Sequence, residues 1–596
     1  MYYQPYLLGE SLEAYLGDPY DQKTIFSYEN SAALDIKEAF PAEICNQLEE
    51  WGLPQYYVPT EFGGSLESYE QLLTLIRLIA RRDLTVAIGH GKTYLGSVCV
   101  WVGGSQQQAT GLGQAVLDGS IVSLALSERI HGSDLLANDF SAQPDRDGFL
   151  LNGEKWTINN ATRGNMLCIF ARTDSQGGSR GYSVFLVEKD RLPQSAYTCL
   201  DKIKTHGIRG ADISGIKFNN ALVAADALVG EIGFGLEIVL KSLQITRTMC
   251  ASLSLGAADS ALRLTYQFAT ERQLYGKAIR ELPHTRKILL DAFADLVISE
   301  VISLISGRAI SVLTDQMSLI SAVTKYFVPS SVDRSIEKLA TVMGARAFLL
   351  NVFEQGRYQK LERDHRVVGL FDGNTLVNLQ VIINQLKSLA KYRQKAAVKL
   401  DSRIFTLFDL TKDLPSFQRE QLSISTRGRD TVLNSLYDVV QQIDIHCATQ
   451  DKSVFSSIGY YAHKVVAEVD RLDREILNTE WVINSRSTKC FTLAFKYSLL
   501  YVAAACIQFW FYNQNNMYTG STKIIWQDGI WLKVCLARLL NQLDVSVQSC
   551  PSAEMVFFEQ LDQQYHQNML FSLLPLKLSD RATNSGELYV SSNAYK

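Results

Sequence analysis

Apolar residues recur along this chain with two different periods, and the changes of period divide it. Between residues 69 and 82, Leu72, Leu73, Leu75, Ile76, Leu78 and Ile79 fall at mixed three and four spacing, the wide apolar face of a helix packed into a core. Residues 1–120 read as helical, with Pro59-Thr-Glu-Phe-Gly-Gly64 as a turn between helices. Between 121 and 230 the texture changes. Segments 122–126, 149–151, 167–170 and 182–187 are short apolar or alternating runs separated by Gly, Asn and Asp, and 207–218 continues them. That pattern predicts strands and hairpins. From about residue 231 the helical period returns: Gly233-Phe-Gly-Leu236 opens a long segment, and the small residues of 252–262 suit close helix packing. Repeated Lys and Arg over 387–403 predict a solvated helix leading to a boundary. The remainder is mainly helical and turns polar from Ser579 onward, where a mobile tail is expected. The periods predict an α+β chain, mainly α, in four units: 1–120, 121–230, 231–398 and 399–596.

A length of 596 residues suffices for about three or four domains. The composition, 47% hydrophobic and 20% charged, is that of a globular protein. A net charge of −4 gives no signal for nucleic acid or a membrane surface. Ten cysteines without a CxxC pair predict reduced, mostly buried thiols in a cytoplasmic protein. Eight scattered histidines without an HxxxH predict no metal site. Met1-Tyr-Tyr-Gln-Pro5 has no basic region, so no signal or transit segment is expected. The most apolar run, 497–511, is broken by Gln508 and falls short of the roughly 20 residues that span a bilayer. It predicts a buried helix and no membrane contact. No P-loop, GxGxxG motif or short-period repeat is present.

Four blocks carry the chemistry: Ala125-Leu-Ser-Glu-Arg-Ile-His-Gly-Ser-Asp134, Leu151-Asn-Gly-Glu-Lys-Trp-Thr-Ile-Asn-Asn160, Arg272-Gln-Leu-Tyr-Gly-Lys277 and Arg363-Asp-His-Arg-Val-Val-Gly-Leu-Phe-Asp-Gly373. In content and order they resemble the acyl-CoA dehydrogenase family, from about residue 50 to about residue 390. The resemblance implies that family's fold: a helical N-terminal domain, a central β-barrel and a four-helix bundle, here with an additional C-terminal helical domain. It implies FAD as cofactor and an acyl thioester as substrate, carried on coenzyme A or an acyl carrier protein. A carboxylate would take the α-proton while the flavin N5 accepts the β-hydride, giving an α,β double bond. An electron-transfer flavoprotein or similar acceptor and a homodimer are the implied partners.

Carried over residue by residue, Asp372 takes the base position, nine residues after Arg363, where most members hold glutamate. Its carboxylate stands back by about one C–C bond, ~1.5 Å, and a misplacement of about 1 Å can cost on the order of 100-fold in rate. Thr246 stands where a subset of the family places a glutamate base, which leaves Asp372 as the only candidate. Leu126, Ser127 and Ser133 in the first block match cofactor contacts, as do Thr157 and Asn159 in the second and Arg272 and Tyr275 in the third. Gly344, in Thr341-Val-Met-Gly-Ala345, and Asn374 and Leu376 complete the cofactor set. Ser133, Thr246, Arg247 and Gly373 are the substrate contacts implied. Arg129-Ile130 replaces the usual Pro-Gly, Thr157 replaces a tryptophan, and Asn159 replaces the Thr or Ser that bonds the flavin N5, although an amide still donates. His131 and His365 occupy positions that are not histidine in the usual pattern and are not expected to act directly. These departures suggest a specialised member rather than a general fatty-acid degrader. Asp372-Gly-Asn-Thr, with the later Leu379-Gln380, also resembles the acyl-CoA oxidase form of the motif. An oxidase using dioxygen and a non-catalytic thioester-binding protein are therefore the alternatives.

Overall fold

Six helices occupy residues 4–117: α1 (Gln4–Leu16), α2 (Tyr28–Ile36), α3 (Ala42–Trp51), α4 (Tyr69–Arg82), α5 (Leu84–Gly103) and α6 (Gln106–Leu117). Their starts are set by side chains that satisfy the free amides of a first turn. Asp83 accepts from Thr85 N at 2.8 Å to open α5, and Ser105 and Gln108 form a reciprocal capping box at α6. The computed structural model describes residues 3–350, 352–395, 400–449, 452–481, 487–516, 522–547 and 550–580. The expected boundary at 398 lies outside these residues.

Eight strands follow: β1 (Val122–Ala125), β2 (Ser141–Asp145), β3 (Gly148–Asn159), β4 (Met166–Arg172), β5 (Tyr182–Glu188), β6 (Tyr197–Leu200), β7 (Ile213–Ala224) and β8 (Leu228–Val229). They form one sheet in the order β6-β7-β3-β2-β4-β5-β8, with β1 parallel on β4. The sheet wraps a core of its own that includes Phe140, Leu151, Ile169, Phe185 and Phe218. Its long antiparallel ladder, β3 on β7, shifts register between Trp156 and Ile158. That irregularity turns Thr157 to φ 63°, a costly conformation for a β-branched residue.

The bundle consists of α7 (Gly235–Glu271), α8 (Pro283–Val312), α9 (Met317–Met343), α10 (Arg357–His365) and α11 (Thr375–Arg393), with the short hairpin β9 (Gln273–Leu274) and β10 (Lys277–Ala278) between its first two helices. Residues beyond 400 add α12 (Arg403–Phe408), α13 (Thr431–Thr449), α14 (Lys452–Leu477), α15 (Thr488–Asn513), α16 (Lys523–Gln527), α17 (Ile530–Asn541) and α18 (Pro551–His566). Helix α15 contains the apolar run and is long and apolar enough to cross a membrane, but 78% of its apolar window is buried against neighbouring helices. Tyr497, Tyr501 and Trp510 are fully enclosed there, as the buried-helix expectation requires.

Two expectations are corrected. The basic run at 387–403 is not one solvated helix: α11 ends at Arg393, whose guanidinium is buried and paired with Asp473 of α14 at 2.7 and 2.8 Å. Acidic partners contributed by the added unit draw this arginine inward. Nor does a loose tail begin at Ser579. Ser579 N donates to Glu13 at 3.2 Å, and Asp580 is buried against Arg81 of α4. The rest of the expected tail, 581–596, lies outside the described residues.

Candidate active site

Asp372 sits between α10 and α11, in a turn fastened from several sides. Lys325 of α9 donates through Nζ to Val368 O, and Arg247 of α7 donates through Nε to Asp372 O at 2.9 Å. Asn378 Nδ2 holds Gly373 O at 2.8 Å, while Asn374 caps α11 by accepting from Val377 N at 2.9 Å. The turn needs left-handed backbone at two successive residues, φ 55° at Asp372 and 92° at Gly373. A side chain at 373 would also press on Arg247, its Cβ 2.7 Å from Nη2. Aspartate tolerates positive φ better than most residues, which gives the shorter carboxylate a local reason.

Upstream, the same segment is locked to the sheet domain. Lys360 bridges Asp83 and Asp364, each at 2.7 Å, and Asp364 accepts from Ile208 N at 2.5 Å. Gly207 lies so close to α10 that a Cβ would fall 2.2 Å from Arg363 O. His365 contacts Ser254 Oγ at 2.9 Å and Asp333 Oδ1 at 2.5 Å. This is the layout of a hydrolytic triad, but Ser254 and His365 are both fully buried. No carbonyl substrate can reach the hydroxyl, so the trio serves to tie α10 to α7 and α9.

The surroundings of the Asp372 carboxylate are cationic. Lys92 Nζ of α5 lies 3.5 Å from Oδ2, and the Cys250 thiol donates to the same oxygen at 3.5 Å. Lys92 and Lys325 both lie against the Phe371 ring, 3.9 and 4.6 Å from its centroid. Burial pulls the Lys325 ammonium and the Arg247 guanidinium below their ordinary ranges, with Cys250 and Asp372 opposing. Burial pushes the Cys250 thiol up to about 11, so it stays neutral. A narrow cavity of about 50 Å³ opens at this point, with walls that include Ile76, Ile88, Leu95 and Leu253. Lys92, Thr246, Cys250 and Asp372 are also on its lining, and the buried Thr246 Oγ1 has no hydrogen-bond partner among the described residues.

A second cluster forms where β1 runs out beside β3. Ser127 Oγ donates to Trp156 O at 3.0 Å and lies 3.3 Å from Thr157 Oγ1, while Trp156 N donates to Ser127 O at 3.0 Å. Leu126 O accepts from Lys155 Nζ at 3.1 Å, and Lys155 also pairs with Glu128 at 3.0 Å. Burial brings the Lys155 ammonium down to about 8, against the opposing pull of Glu128. Arg129 covers Trp156, 4.7 Å above its ring. Asn159 keeps both amide atoms buried with no hydrogen-bond partner among the described residues. The next residue, Asn160, donates to Gly89 O at 2.8 Å. Helix α5 therefore touches both clusters, the end of β3 through Gly89 and Asp372 through Lys92.

Of the residues expected from sequence, Thr246, Arg247 and Gly373 come together around Asp372, and Leu126, Ser127, Thr157 and Asn159 lie in the sheet cluster. Ser133 is exposed on the loop after β1. Arg272 and Tyr275 project from the exposed β9–β10 hairpin, and Gly344 closes α9 with φ 58°. Leu376, 63% exposed, faces outward from the first turn of α11. Sequence reasoning missed Lys92, Lys325 and Cys250; each sits inside an ordinary helical period with nothing local to mark it.

Tyr57, on the cavity wall, bonds through its hydroxyl to the buried His90 Nδ1 at 2.8 Å. Burial holds that imidazole neutral, with its pKa lowered from 6.5 to about 4. A lowered histidine makes the unfolded state the better proton acceptor, so stability falls as pH drops from about 6.5 to about 4. The expected loss approaches roughly 3 kcal/mol at the acid end. Urea unfolding at pH 7 and near pH 4.5 will show it as a drop in midpoint that His90→Gln largely removes; an equal drop in the variant excludes this histidine as the source.

Comparison with known proteins finds matches over the sheet and the bundle. Residues 123–221 match the acyl-CoA dehydrogenase middle domain, and residues 233–387 match the acyl-CoA dehydrogenase C-terminal domain. A probable acyl-CoA dehydrogenase of Mycobacterium tuberculosis is 25% identical over 358 residues, covering 60% of this chain and 90% of that protein. Among solved structures, an acyl-CoA dehydrogenase of Bacillus anthracis complexed with FAD superposes with a TM-score of 0.63 at 18% identity, over 94% of this chain and 90% of that one. It shares the added C-terminal unit as well as the common fold. A prolyl acyl carrier protein oxidase has a TM-score of 0.58 at 20% identity, over 64% of this chain and 98% of its own.

Proposed function

The chain belongs to the acyl-CoA dehydrogenase family through its middle and C-terminal domains, and on that premise we propose that it oxidises an acyl thioester across its Cα–Cβ bond with Asp372 as the base. The observation that carries this reading is a carboxylate on the wall of a mainly apolar cavity, with its backbone carbonyl held by Arg247. The sheet cluster fits a flavin. Asn159 has two buried polar atoms that lack partners among the described residues, and two residues before it Thr157 places its hydroxyl 3.3 Å from that of Ser127. FAD, when bound there, supplies the electron-poor ring that takes the β-hydrogen with its electron pair. Asp372 accepts the α-proton, Arg247 and Asn378 keep its turn from moving, and the apolar walls exclude water. The exposed Arg272 and Tyr275, with the exposed Phe348, support a homodimer in which a second copy covers them.

The purified protein is expected to be yellow and to bleach anaerobically with at least one acyl thioester, on coenzyme A or on an acyl carrier protein. A colourless protein that takes up no FAD on reconstitution overturns the reading. Reoxidation by an electron-transferring flavoprotein identifies a dehydrogenase, whereas peroxide formed without an added acceptor identifies an oxidase.

A further inference from the structure

We propose, resting on the thioester reading above, that the acyl arm of the substrate is short and ends in a carboxylate, and that Lys92 selects it. The argument begins with unequal charge. Lys92, Lys325 and Arg247 gather around Asp372, and Asp372 is the sole carboxylate among the residues lining the cavity. The Cys250 thiol, kept neutral, adds no negative charge. Two of the three cations are committed to backbone, Lys325 to Val368 O and Arg247 to Asp372 O. Lys92 is not. Its ammonium has three donors, while its contacts are one long bond to Asp372 at 3.5 Å and the face of Phe371.

An uncharged acyl arm entering this cavity would drive out water and leave the surplus charge desolvated and unanswered, which is costly. A carboxylate would answer it with a charge-assisted bond to Lys92. Drawing Lys92 toward the substrate would also loosen its hold on Asp372, so that the base loses its counter-ion when the correct arm is in place. The unpartnered Thr246 Oγ1 offers a further donor on the lining. Size sets the length of the arm. By the measure in which one water needs ~10–15 Å³, a cavity of about 50 Å³ holds roughly three to five heavy atoms. That is a carboxylate with one or two methylenes.

The test uses the flavin-loaded full chain and S-acyl pantetheines, which carry the arm common to coenzyme A and carrier proteins without their charges. Calorimetry with succinyl-pantetheine and its uncharged counterpart butanoyl-pantetheine should show at least about tenfold tighter binding of the former. Lys92→Met should bring the ratio close to one, Lys92→Gln should do the same, and Lys92→Arg should keep part of it; circular dichroism confirms the fold of each. Equal affinities in the wild type, a preference for the uncharged compound, a preference that survives Lys92→Met, or no binding of either compound overturns the proposal. Anaerobic bleaching, read alongside, separates the two levels. Selective binding without bleaching leaves Lys92 as selector and removes the dehydrogenase reading, whereas equal binding with bleaching by both removes only the selector.

Discussion

Replacing Asp372 by asparagine will slow anaerobic flavin reduction by about 10²- to 10⁴-fold, the range that general acid–base groups contribute. The substitution keeps volume and polarity and removes only proton-accepting power. Backbone bonds to Arg247 and Asn378 fix the turn without using the carboxylate, so the variant should retain its shape and its flavin content. Asp372→Glu is the informative companion. It restores the length usual in the family, but places a residue less tolerant of φ 55° in the turn and carries its carboxylate toward Lys92. An intermediate rate is expected. Stopped-flow bleaching at matched flavin occupancy decides the matter, and an asparagine variant as fast as wild type removes Asp372 from the chemistry.

Arg81→Met will be the most destabilising single change away from the site, costing about 3–5 kcal/mol. The Arg81 side chain is wholly enclosed. It forks onto both oxygens of Asp580, at 2.7 and 2.9 Å, and reaches Glu13 at 3.4 Å, while Arg82 binds Glu13 at 2.9 Å. Methionine fills much of the space, leaves Asp580 without its forked partner and leaves Glu13 with the guanidinium of Arg82 alone. Burial alone would push the Asp580 carboxyl up, but Arg81, with Arg263 and Arg82, holds it below its usual range. The sign follows from that direction. A depressed carboxyl contributes its full stability above the unfolded value near 3.8 and loses it as pH falls further. At neutral pH the variant should therefore show its whole deficit as a lower denaturation midpoint, and the gap should narrow in acid as the wild type loses its advantage. A midpoint within about 0.5 kcal/mol of wild type, the scale of a neutral surface change, rules out the network as a main support.

Much of this could be read from the chain itself. The period changes near 120 and 230 separate helices from sheet because side-chain alternation is a local property. Asp372 could be singled out as a candidate because Arg363 and Asp372 share one short segment with a fixed count between them. The charge around that carboxylate could not. Lys92 and Lys325 come from α5 and α9, and Lys92 is 280 residues from the carboxylate it faces, so only the packing brings them together. The Ser254, His365 and Asp333 trio is hidden for the same reason. One signal was available and unused: Arg77, Arg81 and Arg82 interrupt the wide apolar face of α4, and all three are buried. Cations inside such a face need anions from elsewhere. Here those anions are Glu13 and Glu300, together with Asp580 in the segment read as a loose tail.

That last pairing has a consequence for the order in which the protein can be made. Arg81 and Asp580 are separated by 499 residues. The nearby segment after α18 also supplies Phe571 O to Arg77 and the Leu573 amide to Glu300. While the chain leaves the ribosome, α1 and α4 emerge early, carrying charges whose final partners have yet to be translated. At about 5–20 residues per second, that interval lasts on the order of half a minute or more. Throughout it the N-terminal helices have an apolar face and an unfilled seat for the far end of the chain. A nascent N-terminal unit therefore waits in an unfinished state, and its exposure to chaperones and proteases is set by translation time.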